Sequence, residues 1–566
     1  MNQKMNEPWW KRAIVYQIYP KSFLDTTGSG TGDINGVTKK LDYIRELGAD
    51  CIWLTPMYES PQYDNGYDIS DYQKIHEMYG TMSDFEHMLQ EAHQRGIRVI
   101  MDLAVNHTSI FHEWFQASRQ SKENPYRDYY IWKEPKPDGS PPNDWQSKFG
   151  GPAWERDEAT GDYYLHLYDV TQADVNWENE EVRKQVYDIM HFWFEKGIDG
   201  FRLDVINNIS KDQRFLDDAG QSVQGDGRKY YTDGPRIHEF LQEMNQEVFS
   251  KYDSMTVGEM SSTNIVDCIR YTRPDRKELD MTFNFHHLKV DYPNGEKWAV
   301  APFDFLALKS ILSEWQVKMH EGGGWNALFW CNHDQPRIVS RYGDDDTYHQ
   351  QSAKMLATTI HLMQGTPYIY QGEEIGMKNP RFEDISSYRD VESLNMYEVM
   401  LQKGRSKEEA LEILQVKSRD NARTPMQWTS GENAGFSTGT PWIAPAKNKI
   451  SVESSLKDPT SIFYHYQALC RLRKEYDVIT YGSFTLIMPD DPKIFAYVRE
   501  GKDEKILVIN HFYGGEADFS LPDDWLEEID EMNSQVLLSN YEDVPKEIKG
   551  FTLRPYESIV YHLTKR

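Results

Sequence analysis

Cysteine is scarce in this chain. There are four in 566 residues, Cys51, Cys268, Cys331 and Cys470, far apart and without a C-x-x-C pair. That spacing offers neither a disulfide framework nor a thiolate metal site, so they read as free, mostly buried thiols in a reducing compartment. Long apolar runs are missing too. No stretch of 18 apolar residues exists, so no segment is expected to span a membrane. The N-terminal MNQKMNEPWWKRAIVYQIYP has no uninterrupted apolar core and no small-residue cleavage site, so no signal peptide is expected and a cytoplasmic location follows. Positive charge is short: 62 Lys and Arg against 90 Asp and Glu leave −28. Such a surface excludes a nucleic-acid binder and a protein that docks on anionic lipid. Repeats and low-complexity tracts are also absent.

What is present is apolar material for a large core, 39% of residues, and an excess of aromatics, 13%. Flat rings with a polar edge suit sugar faces, but they also simply fill cores. Length alone suggests roughly three to four domains, although one α/β barrel can absorb more than about 250 residues. Short β-branched or apolar runs at 14–18, 51–54, 98–103, 200–203, 255–258, 280–283, 327–330 and 367–370 alternate with helical patterns such as 82–95 and 179–196. Eight strands separated by helices predict a parallel (β/α)8 TIM barrel, with a doubly wound sheet as the alternative.

The spacing is uneven after the third strand. The segment 104–175 is rich in Trp, Pro and Gly and reads as an inserted domain. The barrel would thus comprise 1–103 and 176–480, with a polar insertion at about 376–452. Alternating runs at 484–488, 494–499, 505–510, 534–538 and 557–563 predict a C-terminal antiparallel β-domain over 481–566.

Barrel enzymes keep their chemistry at the C-terminal ends of the strands. Four predicted strand ends carry it here: Asp102, Asn106 and His107 in DLAVNH, Arg202 and Asp204 in GFRLDV, Glu259 in TVGEM, and His333 and Asp334 in FWCNHD. Singly, each has a plain structural explanation, such as an Arg202–Asp204 ion pair or a satisfied core histidine. Together they gather more charge at one mouth than stability would tolerate. Carboxylates without a Cys/His metal cluster suit glycoside hydrolysis by a nucleophile and a proton donor, roughly 5–5.5 Å apart if configuration is retained. A metal-assisted hydrolase would need His and carboxylate ligands, and no H-x-x-x-H spacing supports one.

DLAVNH, QADVNW (172–177), GFRLDV, TVGEM, FWCNHD and GTPYIYQGEE (365–374) occur in this order. Their succession resembles the motifs of the alpha-amylase family, glycoside hydrolase family 13, over nearly the whole chain. QADVNW, SRDNARTPMQW (418–428) and YDNGYDI (63–69) resemble its oligo-1,6-glucosidase branch. KYYTDGPRIHEFLQEMN (229–245) and MTFNFHHLKVDYPNGEKW (281–298) are similar to the group within it that hydrolyses trehalose 6-phosphate.

The resemblance implies Asp204 as nucleophile, Glu259 as general acid/base and Asp334 as the third carboxylate, holding the sugar 2- and 3-hydroxyls. It implies Arg202 orienting Asp204, and His107 and His333 bonding the glucose. Asp64 and Arg423 would close a blind end on its 4-hydroxyl, Tyr67 would stack on its face, and Phe149 would line the pocket from the inserted domain. The implied reaction is retaining hydrolysis of trehalose 6-phosphate to glucose and glucose 6-phosphate. The alternative is an oligo-1,6-glucosidase acting on isomaltose-type α-1,6 oligosaccharides. A transporter heavy chain of this fold would carry a membrane helix and lack catalytic residues, whereas this chain keeps Asp204, Glu259 and Asp334. An isomerase or transglycosylase would share those three residues.

His286, His287, Lys289 and Lys297 cluster after the sixth predicted strand in an otherwise acidic chain. They are the expected phosphate-binding residues, because screening confines the long-range repulsion to roughly 8 Å. Related glucosidases bind a divalent ion in the loop corresponding to 25–33. Here Thr27 and Ser29 stand where they have Asn and Asp, so no cofactor is required and a weak cation site is the most the loop offers. The expected partner is a small phosphorylated disaccharide, with no nucleic acid, membrane or obligatory protein partner.

Overall fold

The structure is a computed structural model that describes residues 7–222 and 224–565. Eight strands form one parallel sheet: β1 (Val15–Ile18), β2 (Cys51–Leu54), β3 (Arg98–Leu103), β4 (Gly200–Leu203), β5 (Met255–Glu259), β6 (Met281–Phe283), β7 (Ala327–Leu328) and β8 (Thr366–Tyr370). Their spatial order is β6-β5-β4-β3-β2-β1-β8-β7. A single parallel bridge between Thr282 and Asn326 joins β6 to β7 and closes the ring. This is the (β/α)8 barrel, and the open doubly wound sheet is excluded by that closure.

The strands form because their residues are buried on both faces. All of β1, β2, β4, β5, β6 and β8 are buried, as expected of parallel strands clothed by helices. The helices start where side chains can accept their free N–H groups. Thr81 and Asp84 make a capping box on Met82–Gln94, Asn179 caps Glu180–Glu195, and Asp304 caps Phe305–Gly322.

One strand is shorter than the alternation suggested. β7 stops at Leu328 instead of running to residue 330. The carbonyl of Phe329 accepts a bond from His287 Nε2 at 2.7 Å instead of a ladder partner. The chain can then turn and carry His333 and Asp334 to the mouth.

Between β3 and β4, Trp132–Lys133, Tyr163–Leu165 and Trp154–Arg156 form a small antiparallel sheet. Its apolar cluster includes Trp145, Phe149 and Trp154 and extends to Val205, Phe215 and Tyr231. That packing holds Phe149 over the barrel. The polar insertion after β8 contains the helices Val391–Gln402 and Lys407–Lys417.

At the C-terminal end, β9 (Ser483–Ile487), β10 (Ile494–Glu500), β11 (Glu504–His511), β12 (Met532–Ser539) and β13 (Ser558–Lys565) make an antiparallel sheet. Lys309, on a barrel helix, is buried against this sheet. Its ammonium donates to the carbonyls of Met488, Asp491 and Ile494 at 2.8, 2.7 and 3.0 Å. Arg499 of β10 reaches back to the carbonyls of Leu362 and Ile479 at 2.6 and 2.8 Å.

Candidate active site

Arg202 on β4 pairs in register with Asp102 on β3. Its side chain is fully buried inside the barrel, with the guanidinium 5.0 Å from the Trp53 ring and 5.9 Å from that of Tyr67. It contacts three carboxyl groups: Asp102 at 2.9 Å, Asp204 at 2.7 Å and Glu259 at 2.7 Å. Asp102 also accepts from Trp53 Nε1 at 3.0 Å and Tyr67 Oη at 2.8 Å. One cation among three buried carboxyls cannot neutralise them all, so protons must be retained.

Burial pushes Glu259 up to about 8. Arg202 opposes that shift, and the charges of Asp204 and Asp334 add to it. Asp204 rises to about 6, again through burial, with Arg202 holding it down. Near neutral pH one carboxyl is therefore ionised and its neighbour protonated. Asp204 and Glu259 share a hydrogen bond, so no gap for a water separates them. The intervening water of an inverting enzyme needs roughly 6.5–9.5 Å.

The backbone turns sharply here. Val205, next to Asp204, sits at φ +39°, ψ +39°, and its N–H donates to Glu259 Oε2 at 3.1 Å. A β-branched residue in the left-handed region is strained, by on the order of 1–3 kcal/mol.

A cavity of about 190 Å³ opens over the pair. At roughly 30 Å³ per water it holds about six, the space of one sugar ring. Asp64, Tyr67, His107, Phe149, Asp204, Glu259 and Asp334 line it. Arg202, His333 and Arg423 lie behind that lining, each fully buried. The Tyr67 ring stacks on His333 at 5.2 Å and 4°. Gln17 Nε2 lies 2.8 Å from His333 Nδ1, which assigns the ring proton to Nε2, 3.2 Å from Asp334 Oδ2. Burial pushes His107 down to about 4 and His333 to about 3, so both rings are neutral.

The closed end also uses three residues that sequence reasoning did not single out, Arg419, Gln172 and Asp390. Arg419 contacts Asp64 at 2.9 Å, Asp390 at 2.6 Å and Asp334 at 3.3 Å. Gln172 Nε2 donates to Asp64 Oδ2 at 3.0 Å. Arg423 does not meet Asp64. It donates to Asp334 at 2.8 Å and to the His333 carbonyl at 2.9 Å, one layer deeper than the resemblance implied. Burial alone would raise Asp334, but His333, Arg419, Arg423 and Arg202 hold it well below the usual carboxylate range. Arg419 lies within the quoted SRDNARTPMQW block, so the signal for it was present. Asp390 has no such signal.

Of the four residues expected to bind phosphate, the two histidines bond backbone carbonyls. His287 is buried and spent on the Phe329 carbonyl. His286 bonds the Thr263 carbonyl at 2.9 Å, stacks on Trp315, and lines a separate surface depression. Their ring nitrogens satisfy buried carbonyls, the usual fate of a polar group inside a fold. Lys297 does line the cavity, but it is paired with Glu392 at 2.6 Å. Of the four, only Lys289 has no hydrogen-bond or ion-pair partner among the described residues.

In the 25–33 loop, Asp25 accepts from the N–H groups of Thr27, Gly28 and Gly30 at 2.9, 3.0 and 2.8 Å. Asp33 accepts from those of Thr26 and Gly36 at 2.7 and 2.8 Å. Both carboxylates thus serve the loop's own backbone.

A closed (β/α)8 barrel with an ionised and a protonated carboxyl in contact over a one-sugar cavity is the machinery of a glycoside hydrolase. Residues 17–482 match the alpha amylase catalytic domain, and residues 494–560 match the alpha-amylase SusG C-terminal domain. The chain belongs to the alpha-amylase family, glycoside hydrolase family 13. It is 66% identical over 560 residues to the trehalose-6-phosphate hydrolase of Bacillus subtilis, with 99% of each chain covered. It is 53% identical to the oligo-1,6-glucosidase of Parageobacillus thermoglucosidasius, covering 99% of this chain and 100% of that one. The crystal structure of Bacillus licheniformis trehalose-6-phosphate hydrolase superposes with a TM-score of 0.94 at 68% identity, over 99% of this chain and 100% of that one.

Proposed function

We propose that this enzyme hydrolyses trehalose 6-phosphate to glucose and glucose 6-phosphate with retention of configuration. The observation that carries the reading is the Asp204–Glu259 pair beneath a one-sugar cavity, in a chain so close over its full length to trehalose-6-phosphate hydrolases. The unphosphorylated glucose occupies the cavity. Ionised Asp204 attacks its anomeric carbon while Glu259 gives its proton to the bridging oxygen, so glucose 6-phosphate leaves and a glucosyl–Asp204 ester remains. Glu259, now a carboxylate, takes a proton from a water that attacks the ester and releases glucose. Arg202 keeps Asp204 charged, and Asp334 holds the ring hydroxyls that strain the sugar toward a flattened transition state.

Four buried, unpaired cysteines and a phosphorylated substrate suit a cytoplasmic enzyme. No helix of the described residues is long and apolar enough to cross a membrane.

The test is a pair of near-isosteric variants. Asp204→Asn should lose on the order of 10⁴-fold or more in kcat with an unchanged melting temperature. Glu259→Gln should slow trehalose 6-phosphate by about 10²–10⁴-fold but spare an activated aryl glucoside, whose leaving group needs no proton. Equal losses on both substrates would remove Glu259 from the acid role. Wild-type activity on isomaltose but not on trehalose 6-phosphate would favour the oligo-1,6-glucosidase reading.

A further inference from the structure

The ladder between β4 and β5 ends at the pair Leu203 and Gly258. Asp204 and Glu259 are each the next residue along, so the pairing of these two strands stops just short of the catalytic carboxyls. Beyond it the chains part. β4 runs into the tight turn at Val205, and β5 ends at Glu259. Asn207, fully buried and three residues after Asp204, joins the two segments again. Its Nδ2 donates to the Ser262 carbonyl at 3.1 Å, and its Oδ1 accepts from the Ser261 N–H at 3.1 Å. Nδ2 also donates to Asp233 Oδ1 at 3.1 Å, and the Asn207 carbonyl accepts from the Asp233 N–H at 3.0 Å.

Asp233 is held in turn. It accepts from Tyr271 Oη at 2.5 Å and from the Thr263 hydroxyl. Three consecutive residues on the way out of Glu259, from Ser261 to Thr263, are thus fastened to Asn207 or to its partner. Both amide protons of Asn207 are used by the protein, so the side chain serves the frame and not the sugar. Val205, between Asp204 and Asn207, sits in the left-handed region and donates its N–H to Glu259 Oε2 at 3.1 Å. A β-branched residue stays there only where its surroundings fix it. The turn after the nucleophile therefore grips the proton donor twice, once at its carboxyl and once at the chain that leaves it. The charged groups facing Glu259 are Arg202, Asp204, Asp102 on β3, Asp334 after β7 and Lys148 from the inserted segment. Burial and the charges of Asp204 and Asp334 keep the proton on Glu259. If the exit loosened, Glu259 would move away from Asp204 and toward water, and both changes weaken its hold on the proton.

We propose that Asn207 is a positioning residue for the proton donor: by clasping Ser261 and Ser262 to the turn that follows the nucleophile, it keeps Glu259 against Asp204. Asp233 and Tyr271 stand behind it and hold its amide in place. The proposal rests on the roles given to Asp204 and Glu259 above, and not on which disaccharide is the substrate.

The experiment measures kcat/KM against pH for phenyl α-glucoside, whose leaving group needs a proton, and for p-nitrophenyl α-glucoside, whose leaving group does not. Wild type, Asn207→Ala, Asp233→Asn and Glu259→Gln are compared. Asn207→Ala should lose on the order of 10²-fold on the phenyl glucoside and less than about fivefold on the nitrophenyl glucoside. Its base limb on the phenyl glucoside should move down by about one pH unit, because Glu259 gives up its proton sooner. Asp233→Asn should show the same pattern, several-fold weaker. Equal losses on both substrates, or a base limb that stays in place, would overturn the positioning role. If Asn207→Ala fails to fold, Asp233→Asn decides through the same two readouts. Glu259→Gln separates the two levels of the argument. If it treats both substrates alike, Glu259 is not the donor and the proposal falls with that reading. If it discriminates between them while Asn207→Ala does not, only the clasp is refuted.

Discussion

The two ends of the pocket solve opposite electrostatic problems. At the closed end, Arg419 and Arg423 are matched by Asp64, Asp334 and Asp390, at 2.6–3.5 Å. Two guanidiniums face three carboxyls there, and burial raises Asp64 to about 7, so every charge is already paired before any sugar arrives and what remains is a rigid set of donors and acceptors for hydroxyl groups. At the outer end, Lys148 and Lys289 have no carboxylate bonded to them among the described residues. Their charges stay uncancelled within the protein, so one active site holds a preassembled half and an incomplete half.

The sharpest way to break this contrast is to unpair the closed end. Arg419→Met leaves Asp64 and Asp390 buried without their main cation. It should cost about 3–5 kcal/mol of unfolding free energy and on the order of 10³-fold in kcat/KM on both substrates. Lys289→Met, followed by the same denaturant titration, should leave stability level or raise it, because it removes repulsion rather than a bond. A matching loss of stability in Lys289→Met would erase the distinction.

Next in size is the pH response of the catalytic pair. Asp204, near 6, must be ionised, and Glu259, near 8, must keep its proton. With trehalose 6-phosphate, kcat/KM should fall about tenfold per pH unit below the first value and above the second, while the aryl glucoside, which needs no proton from Glu259, should keep only the acid limb. A profile flat to pH 10 would contradict the raised Glu259.

The smallest effect concerns the 25–33 loop. Its two carboxylates already accept backbone N–H groups. EDTA should therefore move the melting temperature by no more than about 2 °C. A drop of many degrees, reversed by calcium, would show a structural ion.

The barrel was legible because alternation and strand-end polarity are local properties. β2, β3 and β4 run as the apolar pattern suggested, and the residues quoted at their ends converge on one cavity. What a linear reading could not see is which side chains spend their polar atoms elsewhere. His286 and Lys289 are three positions apart, yet one serves the Thr263 carbonyl and the other is unpartnered. The Asp64–Arg419 contact crosses 355 residues of chain, and both partners were in quoted motifs. Arg423, expected beside Asp64 at the blind end, instead donates to Asp334 and to the His333 carbonyl.

The ammonium of Lys309, bonded to three carbonyls of the C-terminal sheet, bears on how the molecule comes apart. If that sheet peeled off alone, the barrel would be left with an apolar face and a lysine stripped of every acceptor, while Arg499 would abandon two barrel-side carbonyls. Neither fragment is a tolerable intermediate, so the two regions should melt as one cooperative unit despite the length of the chain. The β-domain then acts as a clamp on the back of the catalytic barrel. A chain cut short near residue 480 would lose the enzyme along with its appendage.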